Sequence, residues 1–374
     1  MATQPAELAQ TPATKKKLIR RIAPENSQRV RHTVQFFFIL LNVWLGAQFY
    51  LWVRFFERGG IGWPVPRPAG AEGWLPIAGL MNFKVFATTG RFPLVHPAAM
   101  FLFMAFVAMS LLAKKSFCSW ICPVGTFSEV LADLGKKLFR RNLHLPRWID
   151  IPLRGLKYLL LGFFVFIIGT MSAAAIEEFM VTPYGIIADV KMLNFFRNMS
   201  QTAAIVIAAL VVLSILVEHF WCRYLCPYGA LMGLVSLISP LKIRRNPQAC
   251  IDCAKCARAC PASLPVDKLV QIRSAECTAC MVCIASCPAD GALQFSLPQI
   301  HRAPVAGCEP TVPATAIPRY RRAVTPFAVA GLLAILFFGM ILFARATSHW
   351  QTKLPQHVYQ ELVPNASMAT HPGY

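Results

Sequence analysis

An α-helical integral membrane protein of about five spans, with a small cysteine-rich α+β domain inserted before the last span, is the fold class this sequence predicts. Three observations predict it. Of 374 residues, 56% are hydrophobic and only 14% charged, against about 25% charged in an ordinary soluble protein. The charges are lopsided, 37 Lys+Arg against 17 Asp+Glu for a formal net charge of +20, and the basic residues punctuate long apolar runs. Most of the thirteen cysteines fall in regularly spaced groups. A nucleic-acid-binding chain would gather its basic residues on a soluble domain, so nucleic acid drops out as a partner and membrane lipid replaces it.

An uncharged apolar stretch of about 20 residues can cross a bilayer. Five such stretches occur, at Thr33–Val53, Pro93–Ala113, Tyr158–Ile176, Ala203–Trp221 and Ala323–Phe343. Lipid offers no partner to backbone polar groups, so each must be a helix or part of a closed barrel. The runs lack strand-like alternation, and helices follow. A polar 32-residue leader precedes the first run, which argues against a cleaved signal peptide. The expected division is a tail over 1–32, a four-helix membrane domain over 33–245, a soluble domain over 246–296, a Pro-rich linker over 297–322, a fifth helix over 323–343 and a tail over 344–374. The last tail reads as a short surface segment.

Loop charge gives the orientation. Segments 1–32, 114–157 and 221–322 hold seven, nine and twelve Lys/Arg, while 54–93, 177–202 and 344–374 hold nine together. The N-terminus and the 246–296 domain are therefore expected in the cytoplasm and the C-terminus outside it. Between spans two and three, Gly125 to Arg141 reads as an interfacial amphipathic helix. Phe127, Val130, Leu131, Leu134 and Leu138 form its apolar stripe, and Lys136, Lys137, Arg140 and Arg141 suit anionic headgroups.

The sharpest signal is Cys250-x2-Cys253-x2-Cys256-x3-Cys260-Pro261, repeated as Cys277-x2-Cys280-x2-Cys283-x3-Cys287-Pro288. Each run matches the bacterial ferredoxin pattern that binds [4Fe–4S] clusters, in which the fourth cysteine serves the other cluster. By that crossover, cluster one takes Cys250, Cys253, Cys256 and Cys287, and cluster two takes Cys260, Cys277, Cys280 and Cys283. Structural zinc has no use for two four-cysteine runs each ending in Cys-Pro, and disulfides do not persist where thiols stay reduced. The domain over 246–296 is thus read as a two-cluster, ferredoxin-like module cemented by its clusters.

Spans two and four each end in a second pattern, aromatic-Cys-x3-Cys-Pro-x-Gly. It reads Phe117-Cys118-Ser119-Trp120-Ile121-Cys122-Pro123-Val124-Gly125 and Trp221-Cys222-Arg223-Tyr224-Leu225-Cys226-Pro227-Tyr228-Gly229. This makes the first four spans two pseudo-repeated pairs. Both motifs fall on the same side of the membrane, so Cys118, Cys122, Cys222 and Cys226 can meet. Four thiolates suit a third Fe–S cluster or Cu(I), each pair can cycle between dithiol and disulfide, and buried cysteines also serve as small hydrophobes. The spacing does not choose among these. Cys308 stands alone in the Pro-rich linker.

At these residues the chain resembles the bacterial polyferredoxin-type membrane electron-transport proteins of the NapH, NosR and CcoG group. The resemblance covers nearly the whole chain. Its carriers are the stretch from Arg67 to Ile77 (Arg-Pro-Ala-Gly-Ala-Glu-Gly-Trp-Leu-Pro-Ile), the two Cys-Pro motifs and the two ferredoxin runs. It implies an inner-membrane protein passing electrons between a quinol or redox partner protein and cytoplasmic [4Fe–4S] clusters. The alternative it implies is a copper-handling reductase or respiratory-complex assembly factor that uses the membrane thiols. Only about 40 residues separate the first two spans, too few for the flavin-bearing domain of the NosR type.

Weaker candidates are Glu72, Lys84, Arg91 and His96 in one outer loop and Glu177, Glu178 and Lys191 in the next, where a carboxylate or His can accept quinol protons. His96 is also a candidate haem ligand. Glu218 and His219 stand near the second motif as candidate tuning groups. No Walker loop or dinucleotide fingerprint occurs, so the chain reads as an electron carrier rather than a catalyst, with quinol oxidation or metal reduction as the enzymatic alternatives.

Overall fold

Capping and proline chemistry set most helix boundaries in the computed structural model, which describes residues 20–21, 25–140, 143, 145–298 and 323–371. The helices before the first strand are α1 (Ser27–Glu57), α2 (Pro76–Thr89), α3 (Pro97–Ala113), α4 (Ser116–Trp120), α5 (Pro123–Phe139), α6 (Arg147–Thr170), α7 (Ala173–Val181), α8 (Pro183–Ile186), α9 (Ala188–Arg197), α10 (Gln201–Leu216) and α11 (Pro227–Val235). Strand β1 (Lys242–Arg245), α12 (Lys255–Arg258), α13 (Val282–Ala285), β2 (Leu293–Ser296), α14 (Pro326–Ala346) and α15 (Gln356–Leu362) follow. Proline opens α2, α3, α5, α8, α11 and α14, where its missing N–H costs nothing. Ser172, Thr182, Ser200 and Thr325 accept hydrogen bonds from the N–H groups of Ala175, Gly185, Ala203 and Ala328, satisfying donors a helix start leaves orphaned.

Among the described residues three helices are long and apolar enough to cross a membrane, Ser27–Glu57, Trp148–Thr170 and Pro326–Ala346. A fourth span arises only if Ala188–Arg197 and Gln201–Leu216, bent by 82°, count as one. Helical length thus gives three or four spans where the apolar runs suggested five. The second run is shortened by Pro97 and by a left-handed His96 (φ 53°), the fourth by an extended Val217 and a left-handed His219 (φ 54°). At 17 residues, α3 reaches only about 25 Å at 1.5 Å per residue.

Helix α3 packs at the centre of the helices. Ala98, Met100, Phe101, Ala105 and Met109 are fully buried, and α2, α11 and α14 surround it. The outer helices present large apolar side chains outward, including Phe37 and Trp44 on α1, Leu159 and Phe166 on α6, and Ile335 and Leu342 on α14. Water would penalise such a surface and lipid does not. Helix α5 exposes Phe127, Val130, Leu134 and Leu138 while burying Gly125, Ser128, Ala132 and Gly135, as an interfacial helix does.

Segments expected as plain loops carry α2 and α7 to α9. Likewise the C-terminal segment buries Trp350, Tyr359, Val363 and Ala366 against the membrane helices, so it is packed rather than a surface strand of chain. In the soluble module, β1 and β2 pair antiparallel with Ile243 opposite Phe295, drawing Lys242–Arg245 into a unit expected to begin at 246. The N-terminal segment joins it too. Arg21 N donates to Pro288 O at 3.0 Å and its Nη1 to Ile284 O at 3.0 Å. The linker beyond residue 298, with Cys308, lies outside the described residues.

Candidate functional site

The two ferredoxin runs fold alike. Asp252 and Ala254 flank Cys253 with φ of 55° and 54°, and Ala279 and Met281 flank Cys280 with 53° and 60°. A left-handed non-glycine residue costs about 1–2 kcal/mol, so four of them at matched places mark a conformation the site demands. Each curl leads into a one-turn helix, α12 or α13, that buries Cys256 or Cys283. One cavity is lined by Cys250, Cys253, Cys256 and Cys287. Cys260 lies within charge range of Cys280 and Cys277, and Cys283 within range of Cys280, Cys277 and Cys260 and, most weakly, of Cys256. The last cysteine of each run therefore sits with the first three of the other, a donor set of four thiols twice over that fits a [4Fe–4S] cluster. Burial pushes the Cys256 thiol up to about 11 and the Cys260 thiol up to about 12, so metal must displace a proton from each.

At the membrane edge the two Cys-Pro motifs also fold alike, though not as continuous helices. Cys118 lies in α4 and Cys222 in a one-turn π-helix, Trp221–Leu225. Cys122 and Cys226 cap α5 and α11, whose first residues are Pro123 and Pro227. The Cys226 sulfur accepts from Gly229 N at 3.2 Å. Thus each motif's proline starts a helix. All four sulfurs line a single cavity of about 520 Å³. Its walls are apolar, running past Phe103, Phe106, Leu161 and Phe164 to Trp74 and Asn42. Among the described residues no three His, Cys, Asp or Glu side chains close on a single ion-sized point.

Lys115 enters the same cavity. Burial works to depress its pKa, but Cys118, Glu276, Cys226 and Cys222 outweigh it and hold the ammonium above the usual lysine value. A second, smaller cavity joins Lys115, Cys118 and Cys222 to Cys280, with the charged or titratable residues Arg31, Glu129, His219 and Glu276 in its lining.

The two cysteine systems are in direct contact. Ser119 Oγ donates to Thr278 O at 2.6 Å and Trp120 Nε1 to Ala279 O at 3.1 Å. Gln28 Nε2 donates to Cys280 O at 3.0 Å and Lys114 Nζ to Ser274 O at 2.9 Å. Lys157 Nζ grips both oxygens of Glu276 at 2.7 and 2.6 Å, and Arg154 Nη2 donates to Ala262 O at 3.2 Å. These anchors all hold the side of the module that carries Cys260, Cys277 and Cys280. Arg31 and Gln35 of α1 bind Glu129 of α5 and the Ser119 carbonyl, fixing the first motif from the other flank.

The outer-loop candidates serve a different purpose. Arg67 donates to Glu72 at 2.8 Å and to Asp189 at 2.5 Å, and Thr352 donates to Glu72 at 3.1 Å. His96 is fully buried, with Nε2 donating to Gly185 O at 2.9 Å and Nδ1 3.3 Å from both Arg67 and Glu72. Both ring nitrogens are occupied, which removes His96 as a haem ligand. Lys84 caps the end of α6 through the carbonyls of Ile168, Gly169 and Met171, and Arg91 pairs with Glu177 at the surface. Glu218 pairs with Lys136 at 2.6 Å, whereas His219 does line the smaller cavity beside Cys222.

Comparison with known proteins covers these same segments. A 4Fe-4S binding domain family matches residues 95–143 and 200–246, the two Cys-Pro motifs with their helices, and a 4Fe-4S dicluster domain family matches 242–292. YccM of Escherichia coli strain K12, whose name proposes electron transport, is 48% identical over 351 residues, 92% of this chain and 93% of YccM. The chain belongs to the YccM family of ferredoxin-type membrane proteins. More distant members of the wider group share about half of it. NapH of Escherichia coli, named a ferredoxin-type protein, is 29% identical over 49% of this chain and 63% of NapH, and NirI of Paracoccus denitrificans is 31% identical over 51% of this chain and 27% of NirI. No solved structure matches the chain at a comparable level. Within this YccM-type chain, the functional neighbours that spacing did not reveal are Lys114, Lys115, Lys157 and Glu276. The one signal for them is a lysine pair set directly against a Cys-Pro motif at the end of an apolar run.

Proposed function

We propose that this protein is a membrane-bound iron–sulfur electron-transfer protein, moving electrons between a quinol or redox partner and two [4Fe–4S] clusters on the cytoplasmic face of a bacterial inner membrane. Cys250, Cys253, Cys256 and Cys287 would hold one cluster and Cys260, Cys277, Cys280 and Cys283 the other. Cys118, Cys122, Cys222 and Cys226, which line one cavity, form the third redox or metal site, an Fe–S cluster or Cu(I). Such clusters take up and release single electrons when bound.

The observation that carries this reading is the hydrogen-bonded seat of the Thr278–Cys280 loop on Ser119 and Trp120. It holds the membrane-edge thiols and the module in one rigid contact, with Cys280 facing Cys118 and Cys222 across a small cavity. The chain's own residues supply the rest. Phe103, Phe106, Leu161 and Phe164 line a route from the lipid side to the four sulfurs that an apolar quinol tail can occupy, and Lys114, Lys157 and Trp120 fix the module against it. Names in the wider family point the same way, YccM to electron transport and NapH to a ferredoxin type.

The test is anaerobic purification, iron and acid-labile sulfide analysis, and EPR-monitored titration with a quinol analogue. About eight irons per chain fit two [4Fe–4S] clusters and about twelve fit three. A chain that holds iron yet shows no reduced-cluster signal at any potential would refute electron transfer. Reduction by dithionite but never by quinol would refute the quinol partner alone.

A further inference from the structure

Buried cations crowd the junction between the membrane helices and the module, and most of those among the described residues are held by ion pairs or hydrogen bonds. Arg31 pairs with Glu129 at 2.5 Å, Lys157 with Glu276 at 2.6 Å and Arg223 with Asp150 at 2.8 Å. Lys114 Nζ donates to Ser274 O. The ammonium of Lys115, a residue only 4% exposed, makes no hydrogen bond or ion pair among the described residues, and only its backbone carbonyl is engaged, by Cys118 N at 3.3 Å. Its Nζ lies beside Gly229 of the second motif, and its side chain lines both the cavity of the four sulfurs and the smaller cavity leading to Cys280. Glu276, the nearest carboxylate of the module, is already held by Lys157 and Tyr158.

An ammonium taken out of water without a counter-charge costs several kcal/mol, and chains retain one only where an anion compensates it. Four cysteine sulfurs become that anion when they bind metal, because thiols bind metal as thiolates. A [4Fe–4S] core held by four thiolates carries a net negative charge, and it becomes more negative on reduction.

We propose that Lys115 is the counter-ion of the metal centre held by Cys118, Cys122, Cys222 and Cys226, and that its fixed positive charge sets how readily that centre takes up an electron. The assignment rests on the reading of those four cysteines as a metal site. Lys115 is a positioning and tuning residue that lines the cavity of the four cysteines. It differs from Lys114 and Lys157, which tie the module down, because no hydrogen bond or ion pair holds its ammonium and Glu276 acts on it only at longer range. Net charge is one of the quantities that sets cluster potential, and a cation beside the centre favours the reduced, more negative form.

Lys115→Met and Lys115→Arg in the full-length protein test it, with metal content and a potentiometric EPR titration as readouts. Lys115→Met is expected to disfavour reduction of the membrane-edge centre at least tenfold, a downward shift of 59 mV or more for one electron, with the ferredoxin-module signals unmoved. Lys115→Arg is expected to restore the wild-type potential. Loss of about four irons in Lys115→Met with retention in Lys115→Arg also supports the role. An unchanged potential in Lys115→Met, or the same loss of iron in both variants, overturns it. Only about eight irons in the wild type overturns the metal reading and the proposal together, whereas twelve with an unmoved potential overturns the proposal alone.

Discussion

Glycine ends both Cys-Pro motifs, yet the two glycines answer different demands. A Cβ built on Gly125 would lie 2.0 Å from the Cys118 carbonyl oxygen and 3.2 Å from its carbon. The obstacle is backbone, and the start of α5 would have to move by more than an ångström relative to α4. A Cβ on Gly229 meets only the Cys226 sulfur and the Lys115 ammonium, each at 3.5 Å, an ordinary contact. Overpacking costs about 1–3 kcal/mol, and a clash that no side chain can relieve belongs at the top of that range. Gly125→Ala is therefore expected to cost about 3 kcal/mol. Gly229→Ala is expected to be neutral or to stabilise by up to about 1 kcal/mol through helix propensity. At roughly 2–4 °C per kcal/mol, Gly125→Ala should melt some 6–12 °C lower in detergent, and Gly229→Ala within a few degrees of wild type. Thermal unfolding with iron analysis on both proteins provides the measurement. Equal losses, or a larger loss in Gly229→Ala, would refute the claim that the repeat is sterically asymmetric.

Arg67→Met strands Glu72 and Asp189 without their cation inside the protein and should cost about 3–5 kcal/mol. Glu177→Gln, which removes a pair 66% and 39% exposed, should cost less than about 1 kcal/mol, and denaturation midpoints compare the two. Burial would raise the Glu129 carboxyl, but hydrogen bonds from Arg31 and Gln35 overcome it and pull the pKa down to about 2 from 4.5. A depressed carboxylate stabilises fully above its unfolded value. That contribution should therefore fade as pH falls from about 4.5 toward 2, and an acid titration of Glu129→Gln should be flatter over that window. For the module, Cys253→Ser and Cys287→Ser should each remove the same four or so irons, and Cys260→Ser and Cys280→Ser the other set. Iron counts on cross-set doubles that fail to add would contradict the crossover.

Features written within a few residues were legible in the chain. The three-residue spacing of Cys250, Cys253 and Cys256 needs only local curling to gather thiols, and the left-handed Asp252 and Ala254 provide it. The amphipathic stripe of α5 and the apolar faces of α1, α6 and α14 are equally local, because periodicity records which side meets lipid. Apolar runs do not record whether an apolar helix meets lipid or protein, so nothing in the run of α3 shows that other helices bury it.

By itself the sequence determined the chemistry: sulfur donors in two ferredoxin runs and two Cys-Pro motifs, on a chain built for a membrane. Tertiary structure alone decided who stands beside them. Lys157 meets Glu276 across 119 residues of chain, and Arg67 meets Thr352 across 285. No local pattern encodes such pairs, since a lysine between two apolar runs looks the same whether it ends at a headgroup or inside a cavity. Lys115 is the clearest case. As a residue it is one of 37 basic side chains, and only the fold buries it and sets it in one cavity with the four cysteines of the Cys-Pro motifs.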